Sequence, residues 1–171
     1  VGFALAIGAS PFEIGLLAAL PLIAQAAQLP AIALVERIRK RRRIAVLSAT
    51  GARIFILTLV LIPWLVVPEA RLPFLIAVEL LICVLGSICG CALNSWLHDF
   101  LPRQGLGQFQ SRRLFWGTAL AAVGALGAGA IVDYWPFGER LHAYSFIFAV
   151  GALAGFASSW FLARVPEPAM K

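Results

Sequence analysis

The sequence predicts an all-α membrane protein, a polytopic helix bundle that crosses the bilayer several times. Of its 171 residues, 61% are hydrophobic and 13% are charged, which is more apolar surface than a soluble domain of this length can enclose. Several apolar runs reach the roughly 20 residues that a spanning helix needs, and they lack the alternating polarity of barrel strands. We therefore expect lipid bilayer to surround most of the chain.

The predicted elements form one transmembrane domain over residues 1–164. The opening apolar stretch, residues 1–8, is too short to cross a bilayer, and we interpret it as a truncated first span. Each later span follows a turn or a polar segment. Five complete spans are predicted over residues 13–34, 44–67, 74–96, 114–135 and 144–163. Residues 165–171 are expected to be a cytoplasmic tail or the start of a linker.

Positive charges are distributed unevenly between the loops, and this predicts the orientation of the spans. Residues 35–43, 97–113 and 164–171 hold eleven of the fourteen Lys and Arg residues, whereas the opposite loops hold only Arg71 and Arg140. Loops rich in Lys and Arg stay preferentially in the cytoplasm. We therefore expect these three segments, including the carboxy terminus of the chain, to be cytoplasmic in a bacterial-type inner (plasma) membrane.

Composition also argues against several other functions. The net charge of +6 does not indicate nucleic-acid binding, because the cations are confined to short loops beside apolar runs. Cys83, Cys89 and Cys91 lie in one apolar run at offsets that scatter them around a helix, which favours packing over a metal site or disulfides. No pattern of nucleophile, base and orienting group is visible, so we expect no enzyme activity and no cofactor.

The first candidate functional segment is residues 36–43, an acid followed by a dense run of cations at the predicted end of a span. Its principal residues are Glu36, Arg37, Lys40 and Arg41. One interpretation is a topology determinant that also meets anionic lipid head groups. The other is a cytoplasmic gate, in which Glu36 accepts hydrogen bonds from a neighbouring helix end and the cations pair across a closing seam.

The second candidate segment is the connection between residues 99 and 113. Pro102 and two nearby glycines predict a break in the helix, and Asp99 stands at one end while Arg112 and Arg113 stand at the other. The segment is either a solvated connector or an ordered loop. We favour the ordered loop, because rigid and ion-pairable residues flank it. We assign Asp99, Arg112 and Arg113 to the cytoplasmic gate, together with the residues of the first segment.

This second segment resembles the connection between the fourth and fifth spans of prokaryotic major facilitator superfamily transporters. The family pattern is D-x-x-P, four residues, G-x-aromatic, two residues and R-R. It is matched in register by Asp99, Pro102, Gly107, Phe109, Arg112 and Arg113. An Arg usually precedes the glycine of this pattern, and Leu106 stands there instead.

The first segment is similar to the pattern G-x-x-x-D-R-x-G-R-R between spans two and three of the same superfamily. Glu36 stands for the Asp and Arg37 for the Arg, while Ile32 and Arg39 replace the two glycines. The closing cations are Lys40 and Arg41.

The resemblance implies a secondary transporter that works by alternating access around a site near the middle of the membrane. The chain would supply the amino-terminal six-helix half of a twelve-span protein. The implied partners are a carboxy-terminal six-helix half and a small-molecule solute, with or without a coupling ion.

Three ionisable residues lie within predicted spans, where charge is expensive and usually faces the bundle interior. Arg53 is the strongest candidate for a charge in a solute or ion path, with a structural bond to a neighbouring carbonyl as the alternative. Glu79 lies about 12 Å from Arg53 along the helix axes, which makes a direct ion pair marginal. For Asp133 we favour simple solvation at the membrane interface.

Polar amides and small residues complete the candidates within the spans. Gln25 and Gln28 share one helix face and either bridge helices or line a cavity. A stripe of small residues in the fifth predicted helix permits close helix approach. It comprises Gly117, Ala121, Ala125 and Gly129.

Two functions from different classes therefore remain from the sequence. The first is the amino-terminal half of a secondary active transporter, with Arg53, Gln25, Gln28 and Glu79 in the path of the solute or ion. The second is a membrane scaffold or assembly module without transport activity, whose basic loops bind lipid or a cytoplasmic protein. The substrate, the direction of transport and the coupling ion are not specified by the sequence.

Overall fold

The computed structural model describes residues 2–100 and 103–166, apart from the side chains of residues 100, 103 and 104, and every described element is helical. Five helical segments are long and apolar enough to cross a membrane, over residues 11–38, 41–60, 68–99, 105–133 and 140–164. The prediction of an all-helical chain is confirmed, and these five helices have the length and apolar composition that spanning helices need. The predictions for Val1, Pro102 and residues 167–171 fall outside the described residues.

The first two helices are set by local capping. Helix α1 is the short Gly2–Ala6, and the left-handed Gly8 follows it at φ 88°. Helix α2, Pro11–Ala24, begins with a capping box in which Glu13 Oε2 accepts from the Ser10 main-chain N at 2.7 Å and Ser10 Oγ accepts from the Glu13 N at 3.4 Å. This exchange satisfies two donors that a helix start otherwise leaves free.

The first complete span is interrupted near its middle. A 3₁₀ turn at Gln25–Ala27 separates α2 from helix α3, Gln28–Ile38. Helix α3 ends at Arg39, which adopts the left-handed conformation with φ 54° and ψ 18° and donates its N–H to the Val35 oxygen at 2.9 Å. Such a left-handed residue is a common helix terminator.

Three of the four remaining long helices follow the first two spans after a short helix, and all four run along the bundle. Helix α4 is Arg41–Val60, and the short α5, Ile62–Leu65, follows it directly. A 3₁₀ turn at Pro68–Ala70 leads into α6, Arg71–Phe100, and then follow α7, Arg103–Asp133, and α8, Arg140–Arg164. Arg71 fixes the α5–α6 connection, because its Nε donates to the Val66 oxygen at 3.1 Å and its Nη2 to the Pro63 oxygen at 3.2 Å.

The predicted break between residues 97 and 113 is much shorter than expected. Helix α6 continues to Phe100 and α7 begins at Arg103, so most of the expected dozen-residue loop is helical. Glycine costs only about 1 kcal/mol in a helix interior, too little to stop a long helix at Gly105 or Gly107. Both helices, with 30 and 31 residues, extend about 45 Å.

Helix α4 is the centre of the bundle, packed between α6 on one side and α8 on the other. Two hydrophobic clusters lie along it. One is formed by Phe3, Ala4, Leu59, Ile62, Leu75 and Val78, and the other by Val35, Ile44, Ala45 and Ala92. The second cluster lies at what we call the basic end, where α3, α6 and α8 finish and α4 starts.

Helix α7 stands apart from this packing. None of the residues in its most apolar window is buried, and it contacts mainly α8. A β-carbon added at Gly117 or Gly129 would meet nothing within 4 Å. The small-residue stripe permits close approach of another helix, but no described helix covers that face.

Candidate functional site

Arg41 joins two helices at the basic end. Its Nη1 donates to Asp99 Oδ2 at 2.6 Å, to the main-chain oxygen of Ser95 at 3.0 Å and to Ser95 Oγ at 3.4 Å. The Arg41 side chain is 1% exposed, whereas that of Asp99 is 43% exposed. The ion pair therefore links the start of α4 to the end of α6 with its cation enclosed and its anion accessible.

The enclosure of Arg41 leaves several polar atoms without partners. Arg41 Nε and Nη2 and the indole Nε1 of Trp96 are buried and have no hydrogen-bond acceptor in the described chain. An unsatisfied buried donor costs about 1–3 kcal/mol. Asp99 is thus the counter-ion of an enclosed cation that has few other hydrogen-bond acceptors. Removal of the Asp99 charge should destabilise the packing at the basic end.

The chain immediately around Arg41 extends this junction to α8. Arg42 Nη1 lies 3.4 Å from the main-chain oxygen of Val165, just after the end of α8. The guanidinium carbon of Arg164 lies 3.5 Å from the centroid of the Trp160 ring, which is within cation–π range. The ends of α4, α6 and α8 are therefore connected by cationic side chains at one end of the bundle.

Of the predicted gate residues, the structure brings together Arg41 and Asp99. Glu36, Arg37 and Lys40 are exposed and form no hydrogen bond or ion pair within the described residues. The proposed acceptance of helix-end hydrogen bonds by Glu36 is therefore not seen there, because its side chain points away from the packed helices.

The Arg pair of the second segment is also separate from Asp99. Arg112 and Arg113 lie on α7, and both are exposed. Arg113 Nη1 lies 3.4 Å from Gln110 Oε1 on the same helix. Among the described residues, Asp99 therefore pairs with Arg41 of α4 and not with either of these two arginines.

Arg53 lies at the contact of α4 with α8. A β-carbon on Gly155 would overlap the Cδ and Nε atoms of Arg53, so the side chain crosses α8 where that helix has no side chain. Arg53 is half-buried, and its Nε is buried with no hydrogen-bond partner in the described chain. The alternative of a structural bond from Arg53 to a neighbouring carbonyl is therefore not seen among the described residues.

The Arg41–Asp99 ion pair places the start of α4 and the end of α6 at the same level of the bundle. Distances along the two helices from this pair therefore give the separation of Arg53 from Glu79. Arg53 is about 18 Å from Arg41 along α4, and Glu79 is about 30 Å from Asp99 along α6. The difference of about 12 Å agrees with the absence of an ion pair between them in the described chain. Cys83 Sγ instead lies 3.8 Å from Glu79 Oε1.

Glu79 lines a cavity in the half of the bundle away from the basic end. The cavity has a volume of about 250 Å³, and its other lining residues are apolar, among them Phe3, Leu17 and Phe148. A carboxyl group in such a cavity has few polar neighbours. Glu79 is therefore a candidate for an ion path, but it is not part of the Arg53 environment.

Gln25 and Gln28 do not form a site with these charges. Both amides are exposed, and neither hydrogen-bonds to another described residue. The helix bridging favoured from the sequence is thus not observed, because the 3₁₀ turn at Gln25–Ala27 lies on the surface of the described bundle.

A larger, open cavity with a volume of about 800 Å³ lies along α7, and Asn94 is the one described residue of α6 in its lining. Its lining is mostly polar or small, and no lining residue is acidic. The lining comprises Asn94, Gln110, Ser111, Arg113, Leu114, Gly117, Thr118 and Ala121. Asp133 lines a separate cavity of about 400 Å³ between α1, α7 and α8 and is exposed, as expected for interfacial solvation.

Two residues in these contacts, Ser95 and Gly155, are not predicted from the sequence. Ser95 lies four residues before Asp99 and hence on the same helix face, a spacing that could have suggested a shared partner. Gly155 had no comparable local signal, because its role depends on a helix far away in the sequence. Ser95 accepts a hydrogen bond from Arg41, and Gly155 leaves the space that the Arg53 side chain occupies.

Comparison of the chain with protein-family models, with curated proteins and with solved structures finds no match in any of the three. Within the described residues, no group of three or more His, Cys, Asp or Glu side chains is placed to hold a metal ion.

Proposed function

We propose that this chain is the amino-terminal half of a secondary active transporter, which moves a small solute across the membrane by alternating access. The observation that carries the proposal is the enclosed Arg41–Asp99 ion pair. It joins the two segments that resemble major facilitator superfamily patterns. Arg41 is a closing cation of the first pattern, and Asp99 is the acid that opens the second.

The backbone at Arg39 supports the same proposal. Arg39 occupies the place of the second glycine in the first pattern, and its φ is 54°. A glycine adopts this conformation without the steric penalty that a β-carbon brings. The backbone at this position therefore adopts a conformation that favours glycine, the residue of the family pattern, although this chain has an arginine there.

In this proposal, the basic end is cytoplasmic and acts as a gate. Formation of the Arg41–Asp99 pair holds the ends of α4 and α6 together, and its opening frees them to separate. Because the Asp99 side chain is 43% exposed, water or a neighbouring cation can compete for it without prior unfolding. A second six-helix half would complete the solute site near the middle of the membrane.

The test uses the complete product of the gene in proteoliposomes, alongside the 171-residue chain. Uptake from a mixture of small metabolites, measured by mass spectrometry, should be saturable for the complete product and absent for the chain alone, because a midplane site would be only half built. A control variant, Arg43→Gln, removes an exposed cation next to the gate and should leave uptake unchanged.

Two results would refute the proposal. One is saturable uptake by the 171-residue chain without any partner. The other is a gene that ends in a stop codon directly after Lys171, which would favour the scaffold or assembly module.

That second function has one specific observation in its favour, since Arg37, Arg39, Lys40 and Arg43 present exposed cations at the basic end. Such a cluster suits anionic head groups, at about 1 kcal/mol for each cation. Stronger binding of the chain to vesicles with anionic lipid, together with no transport by the complete product, would select it.

A further inference from the structure

Arg53 is a membrane-embedded cation with no counter-charge in the described chain. It forms no hydrogen bond or ion pair with any described residue, and its Nε is buried without an acceptor. The terminal Nη atoms also lack a protein partner, but they are not enclosed. The part of the guanidinium that remains reachable is therefore its end, where the two Nη atoms form a fork.

The position of this fork is fixed by the missing side chain at residue 155. The Cδ and Nε atoms of Arg53 occupy the space that a β-carbon on Gly155 would need. A neighbouring glycine, Gly151, has open space around its own β-carbon position. The side chain is thus held at one place on α8 and is not free to sweep along the helix.

A second cation reaches the same level of the bundle. Arg113 of α7 and Cys89 of α6 lie at about the depth of Arg53, as counted along their helices. Along their helices, Arg53 is about 18 Å from Arg41, Cys89 is about 15 Å from Asp99, and Arg113 is about 15 Å from Arg103 at the start of α7. The two guanidinium groups therefore create positive potential around one section of α6.

The large cavity along α7 has Arg113 in its wall. Its volume is about 800 Å³, Asn94 of α6 also contributes to the wall, Arg53 does not line it, and none of its lining residues is acidic. A surface whose charges have one sign concentrates ions of the opposite sign. Anions are the ligands that this arrangement favours.

We propose that Arg53 is the anchoring residue of an oxyanion site, which binds a carboxylate or phosphate group through its two Nη atoms. The planar guanidinium matches both groups in a bidentate geometry. The binding site does not depend on transport. That its ligand is the transported solute rests on the function proposed above, in which case the solute is an organic or inorganic anion.

The site can be tested by equilibrium binding to the 171-residue chain in nanodiscs of phosphatidylcholine. Isothermal titration calorimetry with sodium phosphate and sodium succinate should show saturable binding, and glucose should show none. Arg53→Gln should weaken anion binding at least about tenfold, and Arg53→Lys should weaken it less, because charge is kept while the fork is lost. Arg43→Gln, which removes an exposed cation of the same helix, should have no effect.

A matched pair of glycine variants tests the geometry of the site. Gly155→Ala should displace the Arg53 side chain and weaken phosphate and succinate binding, whereas Gly151→Ala should not. Circular dichroism of each variant verifies that the helices persist. Because these experiments measure binding alone, they are independent of uptake. Positive binding here, together with no saturable uptake by the complete gene product, would refute the transporter proposal and leave the oxyanion site intact.

The source of the oxyanion is distinguished by a second set of nanodiscs that contain phosphatidylglycerol. Phosphate and succinate binding that persists there indicates a free solute, whereas binding abolished by the anionic lipid identifies the head group as the occupant. Either result requires Arg53. Equal anion affinities for wild type and Arg53→Gln, or no saturable binding of either anion to the wild type in phosphatidylcholine, would overturn the proposal.

Discussion

Arg53 on α4 crosses α8 at Gly155, and its Cδ and Nε atoms fill the space of the missing side chain there. The contact combines a long charged side chain with a residue that has none, between the central helix and one of its two main neighbours. Each residue thereby restricts the other. Gly155 determines where the guanidinium lies, and Arg53 determines what residue 155 can be.

The first prediction concerns stability at this crossing. Gly155→Ala should lower the free energy of unfolding of the purified chain by about 1 kcal/mol, because overpacking is destabilising but the flexible Arg53 side chain can partly yield. Gly151→Ala is the matched control, since open space surrounds that position. Unfolding in mixed micelles, monitored by circular dichroism, gives both values, and equal stability of the two variants would contradict the contact.

The second prediction concerns the ion pair at the basic end. Asp99→Asn should destabilise the chain by about 1–3 kcal/mol, because it leaves an enclosed guanidinium without its anion while the exposed side of Asp99 limits the loss. Adding Arg41→Met should recover part of the loss, since the buried charge is then removed as well. A double-mutant cycle from the same unfolding measurements yields the coupling, and an additive double variant would argue against the pair.

The third prediction concerns the left-handed residue after α3. Arg39→Gly should raise the free energy of unfolding by about 1 kcal/mol, because glycine accepts a positive φ without the penalty of a β-carbon. Arg39→Ala removes the same charge and retains a β-carbon, so it should give no comparable gain. If both variants gain equally, relief of charge repulsion in the basic segment explains the effect instead of the backbone.

The fourth prediction concerns orientation. In a variant with Cys83, Cys89 and Cys91 replaced by Ala, a single cysteine at Glu139 should react with a membrane-impermeant maleimide from outside intact cells. A single cysteine at Arg43 should react only after the membrane is permeabilised. The reason is the uneven distribution of cations between the two sets of loops. The reverse accessibility would invert the proposed topology and place the basic end outside.

The helices were largely predictable because lipid imposes a length and a composition on each span. Their ends were less predictable. The connection between α6 and α7 looked like a loop of a dozen residues, yet α7 is helical from Arg103 onward. Two glycines and a cluster of polar residues weaken a helix without breaking it. A prediction from composition alone therefore makes the loop too long.

The sequence predicts residues of the candidate site but not their contacts. Arg41 and Asp99 are both predicted gate residues, and the contact between them is visible only in the structure, because it joins residues far apart in the chain. The contact of Arg53 with α8 is not predictable, because the sequence position of an arginine within a span indicates its depth in the membrane but not which helix it faces. Gln25 and Gln28 shared a helical face in the sequence, and the 3₁₀ turn between them left both exposed.

The lengths of α6 and α7 have a consequence for the membrane around them. Each helix extends about 45 Å, whereas a typical hydrocarbon layer is about 30 Å thick. The excess of about 15 Å must be accommodated by tilt, by local thickening of the bilayer or by projection into water. Each accommodation costs little energy, so bilayer thickness can change the tilt of α7, which has few contacts, relative to the packed α4 and α6, and with it the depth of Arg113 relative to Arg53.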